Sequence, residues 1–149
     1  MNPSQQGAVA EAAVAFEAVK LGIHVLKPLF EGGRYDLVFD LGARLLRVQC
    51  KIARRRRDVV DVKARSCRRV AGGGYLRRTY SSDEVDAVAA YCPDIERCYF
   101  VPIEAFPKSG CIYLRLAPSK NNQKIGLNWA VDYELGAIAQ LGERRAGSA

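Results

Sequence analysis

The sequence predicts an α/β chain of the α+β kind, one N-terminal helix packed on a mixed β-sheet, and three observations carry that expectation. Residues 4 to 21 hold apolar side chains at helical spacing. Residues 35 to 53 hold two runs that alternate with period two on either side of Gly42. Short apolar runs then recur at 87–91, 98–102 and 111–116, each the length of a strand. With 149 residues, 49% of them hydrophobic and 26% charged, the composition suits one domain, expected over residues 1–141, with 142–149 a flexible C-terminal tail.

The elements follow in order. The helix is expected to open at Ser4 as N-cap, to bury a broad face of Val9, Ala10, Ala12, Ala13, Val14, Phe16, Val19 and Leu21, and to end at Gly22. Ile23 to Leu29, with Pro28 near its end, reads as an edge or connecting strand, and His24 on it as a structural residue. Glu31, Gly32 and Gly33 make a turn. Tyr35–Asp40, a turn at Leu41–Ala43 and Arg44–Ala53 form a hairpin whose second strand puts Leu46, Val48, Cys50 and Ile52 on an apolar face. Leu45, Arg47, Gln49 and Lys51 take the other face. Val59–Ala64 alternates again, with Asp61 and Lys63 opposite Val60 and Val62. Residues 65–80 form a basic glycine-containing loop or ribbon in which Tyr75 and Tyr80 either stack or pack, and Tyr75 is expected to pack. Ser81–Asp86 is a polar turn, Ser119–Lys124 a polar loop, and Trp129 and Tyr133 supply aromatic packing.

The formal net charge is +7, and its distribution says more than its total. Residues 44 to 78 hold 13 of the 23 Lys and Arg with only Asp58 and Asp61 among them. Solubility does not need cations concentrated in a quarter of the chain, so a polyanion is the expected partner. No apolar stretch is long enough to span a bilayer, and the polar start (Asn2, Ser4, Gln5, Gln6) is unlike a signal peptide, so a cytoplasmic protein is expected. The five cysteines include no C-x-x-C pair and read as reduced, mostly buried thiols. A single histidine, His24, excludes histidine-built metal sites and general bases. Chemistry here has to run on carboxylates, amides and lysine.

Four residues offer it. Period two puts Gln49 and Lys51 on one face, and a hairpin turning near Gly42 brings Asp36 beside them, with Glu11 on the preceding helix. Singly, each has an ordinary reading: a turn residue, a solvated helix face, the wet side of a sheet. Together, an acid, an amide oxygen and a lysine can hold a hard divalent cation and a phosphate oxygen at one spot.

The order of a helix Glu, then Tyr35-Asp36-Leu37-Val38, then Val48-Gln49-Cys50-Lys51 resembles the PD-(D/E)XK nuclease superfamily, in particular its small intron-encoded tetrameric homing endonucleases, whose last acidic position is a glutamine. The likeness runs from about residue 5 to residue 134. Tyr35 stands where the superfamily has Pro, and Gln49 replaces a carboxylate, which removes one negative charge from the metal site. The resemblance implies a restriction-endonuclease-like core and catalytic residues Glu11, Asp36, Gln49 and Lys51. It implies Mg²⁺, with Mn²⁺ as substitute, held by Asp36, Gln49 and the Cys50 carbonyl, with Glu11 serving a second metal or water at the first. Lys51 then positions the attacking water and offsets phosphoryl charge. The implied reaction is hydrolysis of double-stranded DNA to a 5′-phosphate and a 3′-hydroxyl by a homodimer or homotetramer. A Holliday-junction-resolving endonuclease and a non-catalytic DNA-binding module remain alternative readings.

Arg54, Arg55, Arg56, Arg57, Lys63, Arg65, Arg68, Arg69, Arg77 and Arg78 form the candidate DNA-binding set, read as a run followed by a two-stranded element suited to the major groove.

Overall fold

The computed structural model describes residues 1–69, 71–119, 121 and 126–138, and of residues 66–69 and 75–78 the backbone alone. The expected tail at 142–149, most of the loop at 119–124 and the packing of Tyr75 lie outside what is described.

Helix α1 spans Pro3–Lys20. Its N-cap is Asn2, two residues earlier than Ser4: the Asn2 side chain accepts the Gln5 N–H at 2.8 Å, and the Gln5 side chain accepts the Asn2 N–H at 3.0 Å. That capping box and Pro3 at the first helical position outcompete Ser4. Gly22, at φ +86°, stands just past the helix end, in a conformation that favours glycine. The buried stripe is Ala10, Val14 and Ala18, one residue per turn, and their small side chains let the helix approach the sheet closely. Phe16 and Val19 lie off that stripe and are 68% and 63% exposed, which corrects the broad apolar face expected of them.

The helix covers one face of a five-stranded sheet. Its strands are β1 (His24–Leu26), β2 (Leu37–Asp40), β3 (Leu45–Ile52), β8 (Ala87–Cys92) and β9 (Arg97–Pro102), in that spatial order. The β3–β8 pair is parallel and the others antiparallel, so the sheet is mixed as expected. Strand β1 is an edge but only three residues long, and His24 on it is exposed. A core of Val14, Leu37, Phe39, Val48 and Ala89 fills the space between helix and sheet.

The opposite sheet face is covered by a second sheet that periodicity did not reveal as a separate layer. It comprises β4 (Arg54–Arg56), β5 (Val59–Lys63), β10 (Cys111–Arg115) and β11 (Asn128–Trp129) in the order β11-β10-β5-β4. Three of the four arginines of the 54–57 run are therefore an exposed edge strand, turning into β5 through Arg57 at φ +55°. Asp61, which alternates with Val60 and Val62, is nevertheless buried at 8% exposure and accepts a hydrogen bond from the Cys111 thiol at 2.8 Å. A second core, with Val60, Val62, Val88, Tyr99, Ile112 and Leu114, lies between the sheets. Among the described residues strands β6 (Arg65–Arg69) and β7 (Tyr75–Thr79) pair only with each other, as the antiparallel ribbon expected for residues 65–80.

Candidate active site

The hairpin β2–β3 places the candidate site. Leu37 pairs with Val48, so Asp36 stands at the entry to β2, opposite the Val48–Cys50 stretch of β3, and its N–H donates to the Val48 carbonyl at 2.9 Å. The Cys50 N–H lies beyond the last paired position of β2, and Asp36 Oδ2 accepts it at 2.9 Å. A side chain thus takes over where the backbone ladder stops, which fixes the carboxylate against the strand that carries Gln49 and Lys51.

Parallel pairing puts Gln49 beside Val88 and Lys51 beside Ala90, on the sheet face opposite α1. Gln49 Oε1 is buried and, among the described residues, accepts no hydrogen bond. A buried amide oxygen without a donor costs on the order of 1–3 kcal/mol unless something else meets it. Burial pushes the Asp36 carboxyl above its usual range and Glu11 adds to the push, while the Cys50 N–H, Lys51 and Lys27 oppose it. Both features fit a hard cation, which would satisfy the amide oxygen and favour the charged carboxylate. Among the described residues no group of three His, Cys, Asp or Glu side chains converges.

Glu11 lies on the helix side of the same region. It lines a cavity of about 390 Å³ together with Lys27, Tyr35 and Asp36, and its Oε1 pairs with Lys27 Nζ at 2.8 Å. The sequence did not single out Lys27. Lys51 Nζ lies over the Tyr80 ring, 5.3 Å from its centre. Arg47, which shares a strand face with Gln49 and Lys51, is bound instead to the loop before β8: it donates to Asp86 and to the carbonyls of Ser82 and Asp83.

The basic set is distributed around this centre. Arg54, Arg55 and Arg56 line the exposed edge of the second sheet, and Arg57 caps its turn. Lys63 ends β5 and is exposed, and Arg65 opens the ribbon with its guanidinium donating to the Ser109 carbonyl at 3.3 Å. The backbone of the ribbon carries Arg68, Arg69, Arg77 and Arg78. Its base is clamped: Ala64 donates to the Gly110 carbonyl at 2.7 Å and accepts from the Tyr80 N–H at 3.1 Å. Gly110 sits at φ +76°, and a Cβ there would meet the Thr79 methyl at 3.0 Å, so any other residue would strain the clamp.

An N-terminal helix on a mixed sheet, with an acid at the mouth of a β-hairpin beside an x-Gln-x-Lys strand, is the arrangement of a nuclease class of fold. The chain belongs to the PD-(D/E)XK endonuclease family, whose model matches residues 1–136. Nucleases of this family generally use divalent metals. Among solved structures it is similar to the bacterial homing endonuclease I-Ssp6803I, at 25% identity and a TM-score of 0.74, over 99% of this chain and 97% of that one. A search of curated proteins finds no match. Among the described residues no helix is long and apolar enough to cross a membrane.

Proposed function

We propose that this chain is a site-specific DNA endonuclease of homing type that hydrolyses phosphodiester bonds of double-stranded DNA with Mg²⁺, for which Mn²⁺ substitutes. The observation that carries the reading is the buried Gln49 Oε1, without a donor among the described residues, on the strand that also holds Lys51 and donates to Asp36. Asp36, Gln49 and the Cys50 carbonyl would hold the metal. When bound, it acidifies water and offsets phosphoryl charge. Asp36, kept in place by the Cys50 N–H, supplies the site's negative charge. The Lys51 ammonium orients water for in-line attack and stabilises charge growing on the phosphate oxygens. Glu11 exchanges its bond to Lys27 for a second metal or a water. The arginines of β4 and of the ribbon grip the duplex, and the activity resides in residues 1–141 as one domain.

Cutting both strands of a duplex needs two such sites, so we assign a homodimer or homotetramer. The exposed Phe16 and Val19 on α1 supply apolar surface for one of its contacts. The test is selection of cleaved sites from a random or host-genome duplex library with Mg²⁺, followed by sequencing of the ends. A defined set of cut sites is expected. Preferential cutting of four-way junctions points instead to a resolvase, and binding without any cutting points to a DNA-binding module.

A further inference from the structure

Among the described residues no carboxylate forms an ion pair with the Lys51 ammonium, although Asp36 attracts it through space. Lys51 Nζ lies over the face of Tyr80, and the guanidinium carbon of Arg34 lies over the same ring, 5.3 Å and 5.6 Å from its centre. An aromatic face attracts a cation and leaves its charge available to a phosphate. Arg34 is oriented further by an ion pair with Glu84, and its Nη2 is buried without an acceptor among the described residues. The ring packs at the margin of the core between the sheets. Its backbone follows β7 directly and bonds to Ala64, the residue before β6, so Tyr80 sits where both strands of the ribbon return to the body.

We propose that Tyr80 is a positioning residue of the site: its ring holds Lys51 and Arg34 as a two-cation seat for one phosphodiester, and its place at the foot of the ribbon ties that seat to the element that grips DNA. Two long side chains that would otherwise sample many rotamers are gathered before substrate arrives. The inference rests on the nuclease reading above and adds two residues that the motif does not contain.

The test uses the full chain and a duplex recovered by the cut-site selection. Single-turnover cleavage is measured with Mg²⁺, and the Kd for the same duplex with Ca²⁺ in its place. Tyr80→Leu is expected to slow cleavage about tenfold while moving Kd less than about twofold, and Tyr80→Phe, which keeps the ring, to recover the rate. Arg34→Met leaves the ring packed and keeps the test open where Tyr80→Leu does not fold; it is expected to slow cleavage several-fold, with recovery in Arg34→Lys. Full-speed cutting by Tyr80→Leu, or equal slowing by Tyr80→Phe and Tyr80→Leu, overturns the role of the ring. Full-speed cutting by Arg34→Met removes Arg34 from the seat. A wild-type chain that cuts no duplex overturns the nuclease reading instead.

Discussion

The Asp36 carboxylate is tied to the backbone N–H of Cys50 at 2.9 Å, so the acid of the site is positioned by the strand that carries Gln49 and Lys51 on either side of Cys50. Its carboxyl is raised, first by burial. The native state therefore holds this proton more tightly than the unfolded chain does. Stability falls as pH rises from the ordinary carboxylate range through the raised native value, and the penalty persists above it. Asp36→Asn keeps an acceptor for the Cys50 N–H and has nothing to ionise. In EDTA, urea unfolding between about pH 4 and pH 8 should show wild type losing stability relative to Asp36→Asn, and Mg²⁺ should reverse the loss in wild type alone. The variant should not cut DNA. Parallel pH curves would remove the electrostatic account of this residue.

Gln49 makes a complementary case, because its Oε1 is buried without a donor among the described residues. Gln49→Leu removes the unsatisfied acceptor and should raise metal-free stability by about 1 kcal/mol. It should also abolish both the stabilisation by Mg²⁺ and cleavage. Gln49→Glu should do the reverse, binding Mg²⁺ more tightly but folding less stably in EDTA, since a second carboxylate would face Asp36. Chemical denaturation with and without Mg²⁺ reads both. A Gln49→Leu protein still stabilised by Mg²⁺ would place the cation elsewhere.

Much of this site was legible in the sequence because period two is a strict geometric signal. Once 44–53 alternates, Gln49 and Lys51 must share a face, and a hairpin near Gly42 must return Asp36 to them. The helix start was misplaced because Ser4 and Asn2 both suit a cap, and reciprocal bonding with Gln5 decides between them. The second sheet was not legible as a layer, because which strands pair across Val60 and Leu114 depends on contacts between residues over fifty positions apart. The meeting of Lys51 and Arg34 with the Tyr80 ring was hidden for a similar reason: Tyr80 reaches them only after the ribbon folds back.

Arg47 shows what a strand face alone does not reveal. It sits with Gln49 and Lys51, yet its backbone N–H and guanidinium both bond to Asp86. Burial pushes the Asp86 carboxyl up, but these bonds and the charge of Arg47 outweigh it and hold the group below the usual range. The contribution is present above the ordinary carboxylate range and disappears as pH falls through the lowered native value. Because the pair is part-buried and still reached by solvent, Arg47→Met should cost on the order of 1 kcal/mol at neutral pH. The deficit should vanish in acid, and a pH-independent deficit would assign it to packing of the arginine stem.

The thiols near the site should be inert. Burial pushes Cys98 up to about 12 and Cys50 still higher, with Asp36 and Glu11 adding to the latter. Alkylation requires thiolate. Treating the folded protein with iodoacetamide near pH 8 and mapping the adducts should leave Cys50 and Cys98 unmodified, and urea should expose both. Rapid labelling of Cys50 in the native protein would mean that the strand next to Asp36 opens locally, and so that the site is less fixed than its hydrogen bond implies.

Thirteen cations lie between residues 44 and 78. Those of β4 stand on an exposed edge, and the ribbon projects from the clamp at Ala64 and Gly110, so the basic segment is built as two arms. If roughly 6 to 10 phosphates are neutralised per complex, affinity for a target duplex should fall by about three to five decades between ~50 and ~200 mM salt. Charge reversal of Arg54 and Arg56 should flatten the slope by about two, since each lost phosphate contact removes roughly one unit. Fluorescence anisotropy with a labelled duplex in Ca²⁺, across a salt series, measures both. A slope unaffected by the β4 substitutions would restrict the phosphate contacts to the ribbon, and a flat wild-type dependence would leave both arms facing solvent.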